Sequence, residues 1–294
     1  MSLIINNNLM AMNAARNLGT SYGALELSTR RLSSGLRITQ AADDAAGLAV
    51  RELMRADISS LQQGIRNAND AISLIQTADG ALGVIDEKLI RMKELAMQAS
   101  TGTYNSDQRL IIDSEYQAMA SEITRIANST DFNGIYLLNG NLSGTHDGST
   151  LAVTGQLKVH FGTGNDCSED YYYIQINSST ASALGVGLGA GTGAGASIST
   201  QALAQQALDV LNTAIISKDK IRASLGALQN RLENTVTVLE IQSENVAAAE
   251  SRISDVDVAK EMTQFVRNQI MTQASVSMLA QANSLPRMAL SLIG

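Results

Sequence analysis

The residues that could do chemistry are few, and each has a competing structural use. The run Gly185-Val186-Gly187-Leu188-Gly189-Ala190-Gly191-Thr192-Gly193 has the look of a phosphate-cradling loop. Such a loop needs a Lys followed by Ser or Thr to reach the phosphates and their magnesium. Neither follows here, and no convincing parallel strand comes before it, so the run reads as a flexible return connection. His146 and His160 are the two histidines. They have no clustered carboxylate and no His-Glu-x-x-His, so they make no zinc site. Cys167 is the single cysteine and sits among Asp166, Glu169 and Asp170. Those charges disfavour a thiolate, which makes it a poor nucleophile. One cysteine also excludes an intrachain disulfide framework. Asp43-Asp44 fits a helix start, where carboxylates cap free amides and face the positive end of the helix dipole. Asp255-Val256-Asp257 reads as a surface pair. The expectation is a chain with no catalytic site, no cofactor and no metal.

The elements are more informative. The chain of 294 residues has one proline, no tryptophan and ten other aromatics, with 45% hydrophobic residues. Its core must therefore be aliphatic. A proline inside a helix costs about 3 kcal/mol, so its near-absence permits very long helices. The net charge of −7 argues against nucleic acid. No apolar run approaches the roughly 18–20 residues of a membrane span, and the first residues lack the basic-then-apolar order of a secretory signal.

Heptads locate the helices. Ile58, Leu61, Ile65, Ala68, Ile72, Ile75, Ala78, Leu82, Ile85, Leu89, Met92, Ala96 and Ala99 form one stripe at alternating steps of 3 and 4, with a single 3-3 step at Ala78. A helix over residues 44–99 would be about 80 Å long. It stops at Ser100-Thr101-Gly102, and Ser106-Asp107 starts another through Ile112, Tyr116, Met119, Ile123 and Ile126. A second long stripe holds Ile221, Leu225, Leu228, Leu232, Leu239, Val246 and Ile253. The predicted coiled-coil core is Ile65, Ile72, Leu82, Leu89, Leu225, Leu232, Leu239 and Val246. The fold class expected is mainly α: a long antiparallel coiled-coil rod formed by N- and C-terminal helices. Asn133-Gly134 and Asn139-Gly140 signal hairpin turns. Residues 152–161 and 171–176 alternate as short strands, giving a small β-containing central insert.

The two ends are apolar and nearly free of charge. Leu18, Tyr22, Leu25 and Leu32 repeat at helical spacing, as do Met262, Val266 and Ile270. Chain ends are normally polar and frayed. A membrane-surface helix would need a Lys- or Arg-rich face, whereas here the polar face is Asn, Gln and Ser. A partner protein surface, such as another copy of this chain, fits better. Pro286 stands in the last segment, where it can kink or close the final helix.

Several long motifs occur in one order. They are Leu32-Ser33-Ser34-Gly35-Leu36-Arg37, Ala42-Asp43-Asp44-Ala45-Ala46-Gly47-Leu48-Ala49, Asn67-Ala68-Asn69-Asp70-Ala71-Ile72, Phe132-Asn133-Gly134 and Leu137-Leu138-Asn139-Gly140. Near the other end come Leu225-Gly226-Ala227-Leu228-Gln229-Asn230-Arg231-Leu232, Ser251-Arg252-Ile253 with Asp255-Val256-Asp257, and Met278-Leu279-Ala280-Gln281-Ala282-Asn283. In these motifs the chain resembles the bacterial flagellin family at both ends. The resemblance implies an inner-tube helix and connector over residues 1–43, rod helices with a hairpin over 44–138, a variable outer domain over 139–197, a rod helix over 198–255 and an inner-tube helix over 256–294. It implies a structural subunit that self-assembles into a helical, extracellular filament for swimming. A hook–filament junction protein of the same family is the alternative. Inner-tube contacts would then fall on Ile5, Leu9, Met12, Leu18, Met262, Val266, Ile270 and Leu279. Implied partners are the flagellar type III export apparatus and secretion chaperone, and the cap and hook-associated proteins. For recognition by host Toll-like receptor 5, the family positions match Arg91, Leu95 and Glu115. Some members of the family carry a metalloprotease insert, but residues 139–197 have no His-Glu-x-x-His.

Overall fold

The structure is a computed structural model that describes residues 8–143, 155–166, 169–191 and 194–291. Among these, five helices dominate: α1 (Leu9–Ser34), α2 (Ala45–Ser100), α3 (Ser106–Ser129), α4 (Gln201–Ser254) and α5 (Val258–Ser291). Four short strands lie between α3 and α4: β1 (Asp131–Phe132), β2 (Ile135–Tyr136), β3 (Leu157–His160) and β4 (Tyr171–Ile174). The chain divides into two compact units, residues 59–243 and residues 1–58 with 244–294.

In residues 59–243 the α2 stripe is the core. Leu61, Ala68, Ile75, Ala78, Leu82, Ile85, Leu89, Met92, Ala96 and Ala99 are buried, and Ile65 and Ile72 pack half-buried at its edge. Ile112, Tyr116 and Ile123 of α3 join the cluster, as do Leu211, Leu225, Leu232 and Leu239 of α4. Fully burying one such aliphatic side chain contributes about 1.5–3 kcal/mol, which sets the register of long helices that differ little along their length. Polar links give the direction. Arg91 pairs with Glu115 and Arg109 Nε donates to Ala99 O at 3.0 Å, so α3 runs back along α2. Asp79 meets Arg222 and Asp86 meets Lys218, so α4 is also antiparallel to α2.

The turns follow local chemistry. Asn105 starts α3 with a capping box: its Oδ1 accepts from Gln108 N at 2.8 Å, and Gln108 Oε1 accepts from Asn105 N at 3.0 Å. Asn133 (φ 52°) and Gly134 (φ 80°) close the β1–β2 hairpin, pairing Phe132 with Ile135. Two successive positive φ values match the twist of the strands they join. The second Asn-Gly makes no hairpin. Asn139 Oδ1 accepts from Asn141 N at 2.9 Å instead, and Leu137, Leu138 and Leu142 are fully buried around the turn.

The β3–β4 hairpin lies against α2 at Gly64. A Cβ there would collide with the Phe161 carbonyl, and Asn67 Nδ2 donates to His160 O at 2.8 Å. Val159, Phe161, Ile174, Ile176 and Val186 enter the same apolar cluster as α2. The described residues of 139–197 thus share one core with α2, α3 and α4.

The Gly-rich segment corrects an expectation, because it is not a loose tether. Tyr116 Oη donates to Gly195 O at 2.7 Å, Gln117 Nε2 donates to Ala196 O at 2.7 Å, and Leu188 N donates to Gln117 Oε1 at 2.9 Å. At Gly187 the backbone lies directly on α3, where a Cβ would meet Ala120, and Tyr116 satisfies the buried Gly195 carbonyl.

In the other unit α1 and α5 form an antiparallel pair, with Asn8 beside Ala282 and Ser28 beside Asn268. Pro286 does not close α5, which continues to Ser291. A proline lacks the N–H that would bond the carbonyl four residues earlier. That carbonyl is Ala282 O, and it accepts from Asn8 Nδ2 at 2.8 Å.

Candidate functional site

The α1/α5 pair is the most unusual surface among the described residues, because its most buried residues are small or polar while large apolar side chains are exposed. Buried along the pair are Ser28, Glu261, Thr272 and Ala282. Asn268 Nδ2 reaches Ser28 Oγ at 3.4 Å, and Arg31 approaches Glu261 at 3.8 Å. Asn8 closes one end, since its Oδ1 also accepts from Ala11 N at 3.0 Å as the cap of α1. The large apolar side chains face the other way. Leu9 and Ile270 are each 60% exposed and Met278 is 65% exposed. Met12, Met262 and Val266 are exposed with them, whereas Leu18 and Leu279 are half-buried. Ile5 lies outside the described residues. A groove of about 480 Å³ between the helices has apolar lining from Met10, Ala14, Met271, Ala274, Met278 and Ala282 and polar lining from Asn13, Asn17, Ser275 and Gln281. The α1 stripe divides: Leu18, Leu25 and Leu32 are half-buried and Tyr22 is exposed, whereas Met262, Val266 and Ile270 of α5 are all exposed. Small and polar residues make the most buried part of the seam beside these half-buried leucines, which leaves the exposed apolar side chains free to face a further partner.

The segment between α1 and α2 is tied by backbone and carboxylate bonds. Leu36 bridges Asp255, Arg37 N donates to Ser254 O at 2.6 Å, and Val256 N donates to Gly35 O at 3.0 Å. Asp44 Oδ1 accepts from Gly47 N at 2.9 Å, which starts α2. Asp43 has a different task. Its Oδ2 accepts from the Thr39 hydroxyl at 2.8 Å, from Thr39 N at 3.1 Å and from Gln40 N at 3.2 Å. The Thr39 hydroxyl, with the two amides and Arg30, holds this carboxyl below its usual range. Asp255 and Asp257 likewise serve the backbone break before α5: Asp255 accepts from Ser251 Oγ at 2.6 Å and Asp257 from Lys260 N at 3.2 Å.

The three residues matched to receptor contacts divide. Arg91 donates to Glu115 at 3.0 and 2.8 Å and to Glu94 at 2.9 Å, at the surface. Those carboxylates raise the guanidinium further above its ordinary value, Glu115 most. Leu95 is 1% exposed and belongs to the core. The predicted core residues Leu82, Leu89, Leu225, Leu232 and Leu239 are buried, while Val246 is half-buried.

Sequence reasoning missed the polar links of α2 to α4. Lys218 is buried, with Nζ at 2.6 Å from Asp86 and 2.7 Å from Asp219. Arg222 makes two bonds to Asp79, at 2.7 and 3.1 Å, and pulls that carboxyl below its ordinary value. The available signal was a charged residue flanking an apolar stripe on each helix. His160 stacks beside Tyr171 with ring centroids 6.0 Å apart. His146 and Cys167 lie outside the described residues. Among the described residues no group of His, Cys, Asp and Glu is placed to hold a metal ion, and no helix is long and apolar enough to cross a membrane.

Comparison with known proteins agrees with this architecture. Residues 5–143 match the bacterial flagellin N-terminal helical region, and residues 208–293 match the bacterial flagellin C-terminal helical region. A flagellin of Halalkalibacterium halodurans is 43% identical over 291 residues, covering 99% of this chain and all of that protein. Flagellin FlaB2 of Treponema pallidum is 40% identical over the same length, again with 99% and 100% covered. A flagellin of Bacillus subtilis is 40% identical over 308 residues, covering 98% and 99%. With both helical regions matched in order, and identity spread over nearly the whole length, the chain belongs to the bacterial flagellin family.

Proposed function

We propose that this chain is the structural subunit of a bacterial flagellar filament, and that copies join through the outward faces of α1 and α5. The observation that carries this reading is the set of exposed large apolar side chains on the α1/α5 pair, Leu9, Met12, Met262, Val266, Ile270 and Met278, beside a seam whose most buried residues are small or polar. Exposed apolar area of this extent on a soluble chain marks an interaction surface. A contact between unlike faces that does not close into a ring generates an open helical polymer. The family relatives named above are flagellins, which supports a filament role over a hook–filament junction role. The role is structural, without catalysis.

On this reading the inner-tube contacts are Leu9, Met12, Leu18, Met262, Val266, Ile270 and Leu279, with Ile5 beyond the described segment. The filament stands outside the cell, and the subunit reaches it through the flagellar export apparatus with its secretion chaperone. It then meets the cap and hook-associated proteins. Arg91 and Glu115 form a surface pair that Toll-like receptor 5 could contact, with Leu95 supporting them from the core. The test is polymerisation of the purified chain, followed by electron microscopy. Long helical filaments from the full chain, and none from a chain lacking residues 262–294, are expected. Normal filaments from the truncated chain would remove the assigned role of α5, and short closed rings from the full chain would favour a junction protein.

A further inference from the structure

We propose that the methionines on the outward face of the α1/α5 pair are a reversible oxidation site, at which peroxide acting on the free chain blocks assembly. The proposal rests on the polymerisation reading of that surface. The chain has eleven methionines. Six of them lie on α1 and α5 with 46–65% of their surface exposed: Met10, Met12, Met262, Met271, Met278 and Met288. By contrast, Met92 on α2 is completely buried. Three of the six, Met10, Met271 and Met278, converge on the groove of about 480 Å³, whose other apolar lining is alanine.

The chemistry needs only a peroxide. The thioether sulfur attacks one peroxide oxygen, an S–O bond forms as the O–O bond breaks, and the second oxygen leaves as water after taking up the proton. Sulfur loses two electrons and the peroxide gains them. The product is a polar sulfoxide in place of an apolar, adaptable side chain, and reductases reverse it. In the free chain such a sulfoxide faces water. Burial against a second copy strips its water and brings a polar oxygen into a groove whose side-chain donors are only those of Asn13, Asn17, Ser275 and Gln281, so the apolar burial that drives assembly is opposed. The polar part of the seam, Ser28 with Asn268, is not part of the groove lining, which takes Ala282 from the seam. The folded chain should therefore tolerate the modification that its polymer does not. Once assembled, the same sulfurs are covered and protected.

The experiment treats the full-length monomer with hydrogen peroxide, maps sulfoxides by peptide mass, and measures the chain concentration needed for filament growth by sedimentation. Oxidation at Met10, Met271 and Met278 should raise that concentration at least about tenfold, with helix content unchanged. Enzymatic sulfoxide reduction should restore it. A Met10→Leu/Met271→Leu/Met278→Leu chain should keep growing after the same treatment, and preformed filaments should resist oxidation at these three positions. Unchanged growth of the oxidised wild-type chain would overturn the proposal. So would an equal loss in the substituted chain, since the effect would then come from other sulfurs. If the untreated wild-type chain failed to polymerise, the polymerisation reading itself would fall, and this inference with it.

Discussion

Replacing Asp86 with Asn should destabilise the unit of residues 59–243 more than replacing Lys218 with Met, although each removes the same ion pair. Lys218 Nζ lies 2.6 Å from Asp86 and 2.7 Å from Asp219, and its side chain is 2% exposed against 27% and 59% for the two carboxylates. At these distances the gross attraction is about 6 kcal/mol per pair for an effective dielectric constant of about 20. It is opposed by several kcal/mol for taking each ion out of water, and that cost falls mainly on the lysine. Asp86→Asn leaves a buried ammonium with only the exposed Asp219, for an expected loss of about 1–3 kcal/mol, less than the removal of a fully buried partner would cost. Lys218→Met replaces the buried charge with an apolar side chain of similar length and returns both carboxylates to water. Its expected effect lies within about 1 kcal/mol of zero, on either side. Urea unfolding of the monomer at neutral pH, followed by circular dichroism, measures both. The double variant should match Lys218→Met alone, since the stranded ammonium is then gone. A Lys218→Met loss equal to or larger than that of Asp86→Asn would refute the reasoning. It would show that the pair contributes net stability rather than mainly fixing how α4 sits on α2.

Three further outcomes can be checked on the same monomer. Gly64→Ala should cost about 1–3 kcal/mol by forcing a methyl into the Phe161 carbonyl, and hydrogen exchange should rise first in β3 and β4. Tyr116→Phe removes the donor to Gly195 O inside the core and should cost about 1–2 kcal/mol, with faster exchange in residues 194–198. The Asp79 carboxyl is held below its ordinary value of 3.8 by Arg222, so its contribution is complete above about pH 4 and is lost as pH falls through the lowered folded value. Arg222→Gln should therefore flatten the acid limb of a stability–pH curve below about pH 4 while leaving the neutral-to-alkaline limb parallel.

Much of this organisation was legible because helix periodicity is a one-dimensional signal. Residues at steps of 3 and 4 share a face whatever they pack against, so Leu82, Leu89, Leu225 and Leu232 could be named as buried from spacing alone. Asn133-Gly134 was equally direct, since a two-residue turn with positive φ selects its own residues. The same logic failed at Asn139-Gly140, where three buried leucines decide the path. It also failed at Gly187, where glycine permitted close packing on Ala120 of α3 rather than looseness.

The sequence alone determined which segments are helical, where α2 ends and α3 begins, and that both chain ends carry apolar stripes with few charges. It could not determine what those stripes face, because a stripe records only that something apolar is wanted. Tertiary structure decided that. The small and polar residues Ser28, Asn268, Thr272 and Ala282 pair α1 with α5 alongside the half-buried Leu18 and Leu279, so Leu9, Met12, Ile270 and Met278 are left outside. The lone proline was visible from the start, but its consequence was not. The carbonyl it frees lies 274 residues from the asparagine that satisfies it, and only the fold brings the two together.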